Sequence, residues 1–379
     1  MLTITIEGNA YERGLSQGKQ LSQRITDAKS QVFNSQVFKD MKPALVPVPV
    51  AIWGLSLMGK NRMREHVEKH VPRQHEKMKG IAEGAGQKLD LIYGMNYIEV
   101  SAGNPKTSYA KPLVQACTMV FAMKGSTADG TIIYGRNYDF PRILQPFQMA
   151  RVEKPSDGYK NINLSQYPIA GSHIGLNEKG LVIGYNYGRS WKTDPLDYSP
   201  RGVPTMLILQ EALETCKTVQ EVVDLVTRMP RTNGAHYGII DAEGHALVLE
   251  TTATRHAIRE VPDGGVMAHS NMFHVIADAN VPDDVIWKYK GLQVPYTKSP
   301  KERVARAAEL IEKSKGEITV DTVKAILSDH NGRKPDDFTI CTHGHTGATL
   351  ASVVIKPKER EFWATDNQPC KTKYEKISF

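Results

Sequence analysis

The sequence predicts an α+β fold in which two antiparallel sheets carry helices on their outer faces. Two observations predict it: helical patterning dominates residues 1–116, and strand pairs alternate with helix pairs in the rest of the chain. Blocks of this kind are typical of antiparallel sheets rather than of βαβ units. A chain of 379 residues, 40% hydrophobic and 23% charged, can bury a sizeable core in one large domain or two ordinary ones.

The helical part comes first. Residues 11–38 contain few helix breakers, residues 64–88 are interrupted once by Pro72, and residues 89–100 form a further short helix. The stretch 101–112 is rich in Gly, Pro, Ser and Asn, which predicts a connector between the two parts of the chain.

Strand pairs and helix pairs follow the connector. Apolar, β-prone runs separated by turn residues predict hairpins, and the first hairpin begins one residue after Cys117. The predicted elements are a hairpin at 118–123 and 131–138, a hairpin at 174–176 and 181–185, helices at 204–216 and 219–229, a hairpin at 236–240 and 246–250, helices at 301–313 and 320–327, and a hairpin at 348–355 and 361–364.

The net charge of +7 is unevenly distributed. Residues 1–116 carry 16 Lys and Arg against 10 Asp and Glu, whereas residues 117–379 carry 32 against 31. The excess is scattered over helices, without interleaved aromatic residues or a nucleic-acid motif, so we predict no nucleic-acid partner. The most apolar stretch, 44–58, is short for a bilayer helix and contains Pro47 and Pro49, so we predict no membrane partner.

The cysteine content and the N-terminal residues both bear on the compartment. Residues 1–6 have no basic region and Glu7 follows at once, which does not match a secretory signal. Four cysteines in 379 residues are too few for a disulfide scaffold and favour a reducing compartment. We therefore predict a cytoplasmic location.

Three of the cysteines have structural interpretations. Cys216 shares an apolar helix face, and Cys370 has no histidine adjacent in the sequence. Cys341 opens the segment CTHGH, but ligands crowded on one extended segment cannot close a tetrahedral site, and no second Cys or His pair stands at ligand spacing. The segment HVEKH at 66–70 does not match the zinc-protease motif. We predict no metal.

Cys117 has a different environment, because it lies where the connector gives way to the first strand. The return strand carries Arg136, Asn137 and Asp139. Neighbouring strands lie under about 5 Å apart, so Arg136 or Asp139 can reach Cys117. An arginine beside a thiol lowers its pKa, and a nearby aspartate can hold an ammonium group.

This arrangement points to an N-terminal nucleophile. Cleavage of the Ala116–Cys117 bond would give Cys117 a free α-amine, whose usual pKa of about 7.7–8.0 suits a base at neutral pH. One residue would then supply both nucleophile and base, so no catalytic histidine is needed. The alternative from the residues alone is a buried cysteine that opens a core strand.

A series of motifs around these residues carries a family resemblance. They are GNAYERG at 8–14, KGIAEGAG at 79–86, ACT at 116–118, GRNYD at 135–139, NEKGL with GYN at 177–186, AHSNMF at 268–273, the segment 328–343 and QPC at 368–370. Together they resemble the acyl-coenzyme A:6-aminopenicillanic acid acyltransferase-like (C45 peptidase) family of N-terminal nucleophile hydrolases, and more distantly the choloylglycine hydrolases.

The resemblance implies a four-layer αββα sandwich and a precursor that cleaves itself before Cys117. Residues 1–116 would be a helical pro-segment retained as an α subunit, and residues 117–379 would be the catalytic β subunit. The product would be an α/β heterodimer within one folded unit, with further oligomerisation left open.

The resemblance also implies roles for individual residues. Met272 and Thr342 depart from the His and Arg of some relatives, and Met272 would border the acyl pocket. The implied roles are nucleophile for Cys117, thiolate stabilisation for Arg136, orientation of the α-amine for Asp139, oxyanion donors for Asn186 and Asn271, a place near the pocket for Arg303, and cleavage between Ala116 and Cys117.

The predicted activity is cleavage or transfer of the acyl group of a small N-acyl amine through a Cys117 thioester. The first alternative is a coenzyme A-dependent N-acyltransferase, with coenzyme A as acyl donor and no other cofactor. The second is a catalytically silent binding protein, whose marker would be loss of Cys117, Arg136 or Asp139; all three are present. The sequence leaves the identities of the acyl group and the amine open.

Overall fold

The computed structural model describes residues 1–103, 116–192, 196–289, 292–344 and 347–379, so most of the predicted connector lies outside the described residues. The helices are α1 (Ala10–Gln20), α2 (Ser22–Asn34), α3 (Gln36–Met41), α4 (Val48–His70), α5 (Pro72–Gly84), α6 (Leu89–Ala102), α7 (Thr205–Thr215), α8 (Val219–Arg228), α9 (Lys298–Lys313) and α10 (Val320–Leu327).

The described strands form two large sheets and one small ribbon. The strands are β1 (Thr3–Gly8), β2 (Ala116–Ala122), β3 (Ile133–Phe140), β4 (Gln148–Pro155), β5 (Asn161–Gln166), β6 (Ile174–Asn177), β7 (Val182–Gly188), β8 (Gly234–Ile240), β9 (Ala246–Thr251), β10 (His256–Glu260), β11 (Val266–His269), β12 (Ile286–Tyr289), β13 (Leu292–Pro295), β14 (Ala348–Lys356), β15 (Glu361–Thr365) and β16 (Glu375–Ile377). The eight-stranded sheet has the order β1-β4-β5-β6-β7-β8-β9-β10, the six-stranded sheet β11-β2-β3-β14-β15-β16, and the ribbon β12-β13. The pairings between these described strands are antiparallel except that of β1 with β4.

Three apolar clusters separate four layers. The first lies between α1–α8 and the eight-stranded sheet. The second lies between the two sheets and contains alternate residues of β2, such as Met119 and Phe121. The third lies between the six-stranded sheet and α9–α10, and contains the intervening residues Val120 and Ala122. The predicted αββα sandwich is therefore confirmed, because both faces of each sheet are used.

The predicted helices and hairpins are present, but several strands were not predicted. The clearest cases are β4 and β5, which carry buried Arg151, Glu153, Asn161 and Asn163 where a strand pattern requires apolar residues. These polar side chains interrupt the hydrophobic alternation on which strand prediction depends. Strand β1 has the period-two alternation of a strand, with Ile4 and Ile6 buried between exposed polar residues, so a local signal for it is present; only its parallel pairing with β4 joins distant parts of the chain.

The apolar stretch predicted not to span a membrane lies mainly in α4. That helix also contains Lys60, Arg62 and Arg64. Among the described residues, no helix combines the length and the hydropathy needed to cross a bilayer.

Helices α1 and α5 cross at very short range through paired glycines. A Cβ atom on Gly14 would lie 2.1 Å from the carbonyl oxygen of Lys77, and one on Gly80 would lie 2.2 Å from that of Tyr11. Gly18 and Gly84 are similarly crowded by backbone atoms. Helix packing thus explains Gly14, Gly80 and Gly84 of the two N-terminal motifs, since no side chain fits between these backbones, whereas Gly8 and Gly86 adopt positive φ angles of 100° and 62°.

A buried cluster of charges lies beneath this crossing. Glu153 of β4 accepts hydrogen bonds of 2.6 and 2.7 Å from Lys77, and the Nε of Arg13 lies 3.3 Å from it. Arg13 also binds Glu214 at 2.6 Å, and Arg151 lies 3.2 Å from Glu153. All five side chains are buried. Because Arg13 and Lys77 belong to the helical segment, the cluster joins it to the remainder of the chain.

The glycine crossing generates a stability prediction. Gly80→Ala should lower the free energy of unfolding by about 1–3 kcal/mol, because its methyl group would overlap backbone atoms of α1. Gly54→Ala in α4 is the matched control, since a Cβ there meets no atom within 4 Å and should be neutral or stabilising by up to about 1 kcal/mol. Denaturant unfolding measures both changes, and equal effects would contradict the close-packing interpretation.

Candidate active site

The thiol of Cys117 lies between the two sheets. Cys117 is the second residue of β2, and the strand alternation places its side chain on the same face as Met119 and Phe121. It is opposite Tyr138 of β3 in the antiparallel register. Only 2% of the residue is exposed, so the thiol is shielded from solvent in the intact chain.

The guanidinium group of Arg136 contacts this thiol from the neighbouring strand. Its Nη2 lies 3.4 Å from Cys117 Sγ, and its Nε donates to Asn186 Oδ1 at 3.1 Å. Arg136 also donates to the carbonyl oxygen of Tyr185. Burial raises the pKa of the Cys117 thiol, and the opposing effect of Arg136 is smaller. The net shift is therefore upward in the intact chain, whereas the sequence suggested a lowered pKa.

Asp139 lies on the opposite face of β3 from Arg136. Its carboxylate accepts hydrogen bonds from Thr349 Oγ1 at 2.6 Å and Thr342 Oγ1 at 3.2 Å. In the strand register Asp139 pairs with Ala116, next to the predicted cleavage position. Burial raises its pKa to about 6. Strand alternation thus assigns Arg136 to the thiol and Asp139 to the backbone side of Cys117.

Two further side chains contact the backbone of Cys117. Its N–H donates to Asn271 Oδ1 at 2.7 Å, and its carbonyl oxygen accepts from Arg303 Nη1 at 2.6 Å. Arg303 also donates to Asn271 Oδ1 at 2.9 Å and to Thr118 Oγ1 at 2.8 Å. Arg303 is completely buried. It therefore lies beside Cys117 and is one of the groups that fix its main chain.

The side-chain amides of Asn186 and Asn271 are engaged in the intact chain. Asn186 Nδ2 donates to the carbonyl oxygens of Ser270 at 3.1 Å and Cys117 at 3.4 Å. Asn271 Nδ2 donates to the carbonyl oxygen of Tyr187 at 2.9 Å. The two amides lie close to Cys117, and their role as oxyanion donors stays a prediction. Met272 follows Asn271 and is half-buried.

The structure adds a histidine that the sequence did not indicate. His173 Nδ1 lies 3.2 Å from Arg136 Nη1, and its ring stacks on Tyr138 with centroids 3.9 Å apart. Burial, reinforced by Arg136, holds the pKa of His173 well below its usual range. The neutral ring accepts a hydrogen bond from Arg136 at Nδ1. No motif surrounds this residue, so only the fold could identify it.

A large, mainly apolar cavity lies near Cys117, which is not itself among the residues that line it. Its volume is about 620 Å³, and Tyr138, the cross-strand partner of Cys117, forms part of its wall. Trp53 and Val50 also line it and are exposed, so the cavity reaches the surface along α4. Other apolar lining residues include Val32, Phe38, Met58, Met95, Ile98, Phe147 and Ile169.

One carboxylate lines this mainly apolar cavity, whose other polar lining residues include Lys42, Asn96 and Gln166. Glu99 of α6 lines it and accepts hydrogen bonds of 2.8 Å at both carboxylate oxygens from the hydroxyl of Tyr185. Burial raises the pKa of Glu99 to about 7. A separate cavity of about 30 Å³ lies beside Ala116, Asn271 and Arg303, with room for about one water molecule.

The raised pKa of Asp139 generates a prediction about stability. Since its folded-state pKa of about 6 exceeds its usual 3.8, the native state binds more protons between these values, and this group lowers stability as pH rises through them. In a Cys117→Ala background, Asp139→Asn should raise the free energy of unfolding more at pH 7.5 than at about pH 4, by up to about 3 kcal/mol.

Asp129→Asn is the control for this measurement. Hydrogen bonds from Thr131 and Lys356 lower the pKa of Asp129 to about 2, so its contribution to stability changes mainly below about pH 4, and the effect of its substitution should be nearly the same at pH 4 and pH 7.5. Denaturant unfolding at the two pH values measures both variants. A pH-independent effect of Asp139→Asn would contradict a raised pKa.

Comparison with known proteins gives similarities of limited identity. The chain is 25% identical over 263 residues to protein dcd1A of Dictyostelium discoideum, an alignment that covers 62% of this chain and 55% of the relative. The chain thus spans about half the length of the curated relative that it matches.

Several solved structures share a partial likeness with this chain. One is the Caenorhabditis elegans ortholog of N-acylethanolamine-hydrolyzing acid amidase, at 14% identity and a TM-score of 0.43, covering 64% of this chain and 93% of that chain. Another is penicillin V acylase from Agrobacterium tumefaciens, at 15% identity and a TM-score of 0.42, covering 66% of this chain and 83% of that chain.

A family model gives the assignment. The model described as acyl-coenzyme A:6-aminopenicillanic acid acyl-transferase matches residues 126–371, well over half of the chain. The matched stretch begins shortly after Cys117 and includes Arg136, Asp139, Asn186 and Asn271. The chain belongs to the acyl-coenzyme A:6-aminopenicillanic acid acyl-transferase family.

Proposed function

We propose that this protein is a self-processing cysteine amidohydrolase that cleaves the acyl group from a small N-acyl amine. The observation that carries the proposal is the set of contacts to Cys117: Arg136 on its thiol, and Asn271 and Arg303 on its backbone atoms. A structural core cysteine has no need of two buried guanidinium groups, whose desolvation is costly. Their convergence on one residue favours a reactive role.

The processing step uses the Ala116–Cys117 bond. Cys117 Sγ attacks the Ala116 carbonyl carbon, the C–N bond breaks, and the thiol proton passes to the departing nitrogen, giving a thioester and a free α-amine. Water then hydrolyses the thioester to the Ala116 carboxylate and the Cys117 thiol. The cavity of about 30 Å³ beside Ala116 suits that water molecule. The contact from Cys117 N–H to Asn271 holds the amide in place before cleavage.

The mature enzyme would use the new α-amine as the base. The amine takes the thiol proton, Sγ attacks the acyl carbonyl, and the protonated amine returns the proton to the departing amine of the substrate. Asp139, ionised above about pH 6, would hold the α-ammonium form. Arg136 would stabilise the thiolate, and Asn186 and Asn271 would turn their N–H groups to the oxyanion, each worth about 2.7–4 kcal/mol in the transition state.

The cavity of about 620 Å³ supports a proposed substrate class. Its walls are mainly aliphatic and aromatic, which suits an extended apolar acyl group better than a polar one. Its opening beside exposed Trp53 gives such a group a route from solvent. A linear N-acyl amine could then present its carbonyl carbon to Cys117 with the chain lying along α4 and α6.

The helical segment would remain bound after cleavage. Helices α2, α3, α4 and α6 supply much of the cavity wall, and Arg13 and Lys77 are buried against Glu153 and Glu214. Loss of one partner from a buried cluster of charges costs about 3–5 kcal/mol, so separation of the fragments would be strongly unfavourable. We therefore propose an α/β heterodimer. All four cysteines are free thiols, in keeping with the proposed cytoplasmic, reducing location.

Transfer of the acyl group to an amine is the second candidate. The family description names acyl transfer from coenzyme A, and the same Cys117 thioester can be resolved by water or by an amine. Incubation of one acyl donor with and without an added primary amine, followed by mass spectrometry of the products, measures the partition. Acid as the main product at saturating amine supports the hydrolase, and amide as the main product supports the transferase.

Self-cleavage is tested by the intact mass of the purified protein. We expect the wild type to give fragments of residues 1–116 and 117–379, and Cys117→Ala to give one uncleaved chain, because the variant lacks the attacking sulfur. Cys216→Ala is the control, since that buried thiol at the end of α7 has no arginine contact on the described residues and should leave cleavage unchanged. An intact wild-type chain with full amidase activity would overturn the processing step.

The acyl pocket is tested by filling the cavity. Gly54 lines it, and a Cβ atom there meets nothing within 4 Å, so Gly54→Leu should occupy space without disturbing α4. We expect kcat/KM for long acyl chains to fall at least about tenfold, mainly through KM, while short acyl chains are little affected. Gly54→Ala is the matched control. An equal loss for long and short chains would contradict this location of the pocket.

A further inference from the structure

Four metal-ligating side chains converge outside the environment of the Cys117 thiol. His330, Cys341 and His343 lie on the segment between α10 and β14, and Cys370 follows β15. One ligand atom from each of the four lies within 4.8 Å of all the others. The fold thus supplies two ligands, His330 and Cys370, that the sequence did not associate with Cys341.

The separations approach those of a tetrahedral ligand shell. His343 Nε2 lies 3.3 Å from Cys341 Sγ and 3.1 Å from Cys370 Sγ. Around a zinc ion with bonds of about 2.3 Å to sulfur and 2.0–2.1 Å to nitrogen, neighbouring ligand atoms are about 3.4–3.8 Å apart. Small movements of the exposed Cys370 would open the group to these values.

Hydrogen bonding alone leaves this cluster incompletely satisfied. His330 Nε2 is buried and has no hydrogen-bond partner among the described residues. His343 Nε2 faces two sulfur atoms, yet a neutral ring nitrogen carries either one proton or one lone pair. A buried polar atom without a partner is costly, and a shared cation would satisfy all four residues at once.

We propose that His330, Cys341, His343 and Cys370 bind one zinc ion in a structural site. Thiolate and imidazole ligands favour zinc over magnesium or calcium, and four protein ligands leave no open position for catalysis. Binding releases the two thiol protons to solvent, so two thiolates balance the divalent charge. The neutral complex is compatible with the positive charges of Lys371 and Arg142, which act electrostatically on His343.

The site would fix a loop that contacts the active-site carboxylate. Thr342 lies between the ligands Cys341 and His343, and its Oγ1 donates to Asp139 Oδ2. The backbone of the same loop is also held by hydrogen bonds from Cys341 N–H to the carbonyl oxygen of Asp329 and from His343 N–H to that of Asp336. A zinc ion would add a link from this loop to the C-terminal segment at Cys370.

A second cluster of the described residues does not support a metal. His236, Glu250 and His269 are mutually close and buried. However, the Glu250 carboxylate already accepts hydrogen bonds from three consecutive backbone N–H groups, at residues 274–276. The guanidinium of Arg259 lies 3.2 Å from His269 Nδ1, and its charge opposes a cation. The contrast supports the Cys and His cluster as the zinc site.

Zinc content of the full-length protein tests the proposal. The wild type, produced with zinc in the medium and kept in reducing buffer, should contain one zinc ion per chain by elemental mass spectrometry. Cys370→Ser should contain below about a tenth of an ion, since loss of a thiolate weakens zinc binding strongly. Cys370 is exposed, so this variant should fold, which circular dichroism checks. Cys216→Ser is the matched control and should retain one ion.

Cobalt provides a readout that does not depend on activity. Wild type loaded with Co²⁺ should show the visible absorption of a tetrahedral thiolate complex, and Cys370→Ser should lack it. The proposal is overturned by a wild type that takes up no zinc or cobalt under reducing conditions, by equal zinc in wild type and Cys370→Ser, or by peptide masses that locate a Cys341–Cys370 disulfide in freshly purified protein.

Discussion

The buried guanidinium group of Arg136 is the interaction on which the site depends. It lies on β3 in the six-stranded sheet and binds Asn186 and the Tyr185 carbonyl on β7 in the eight-stranded sheet. The same group contacts the Cys117 thiol. A charge that is desolvated between two sheets must have its donors occupied, so the sheets and the nucleophile are held in one geometry. Substitution of Arg136 would therefore disturb packing as well as chemistry.

Alternation along β2 and β3 divides the site into two halves. Every second residue of these strands faces the space between the sheets, where the thiol lies. The intervening residues face α9 and α10. Arg136 belongs to the first half. Asp139 belongs to the second, where it lies with Arg303, Thr342 and Thr349 near the backbone of Cys117. A single strand thus separates the side chain proposed to stabilise the thiolate from the side chain proposed to hold the α-amine.

The helical segment packs into the core of the molecule and does not merely cover its surface. Its glycines allow α1 and α5 to touch through their backbones, and its Arg13 and Lys77 neutralise Glu153 beneath the eight-stranded sheet. It also supplies most of the apolar cavity wall. A cut at Ala116–Cys117 would free the nucleophile without removing these contacts. The proposed zinc site would stabilise the opposite face of the six-stranded sheet, because it would fix the loop in which Thr342 contacts Asp139.

The sequence by itself determined the helices and hairpins, the αββα class and the candidate nucleophile. These features are local: they follow from hydrophobic periodicity, turn residues and motifs of adjacent residues. The sequence also predicts that Arg136 lies close to Cys117, because the two residues belong to the paired strands of one hairpin. The family motifs likewise identified the candidate cysteine, asparagine and arginine residues, because each motif is a short run of neighbouring residues.

Only the tertiary structure decided which distant residues meet. The pKa of Cys117 is raised because burial outweighs Arg136, and burial is set by the packing of both sheets. Strands β4 and β5 were missed because their polar side chains serve a charge cluster whose partners lie in α1, α5 and α7. His173 reaches Arg136, and Cys370 reaches His343, across chain separations that no local pattern records. Such contacts depend on the sum of many packing interactions, so they appear only once the chain is folded.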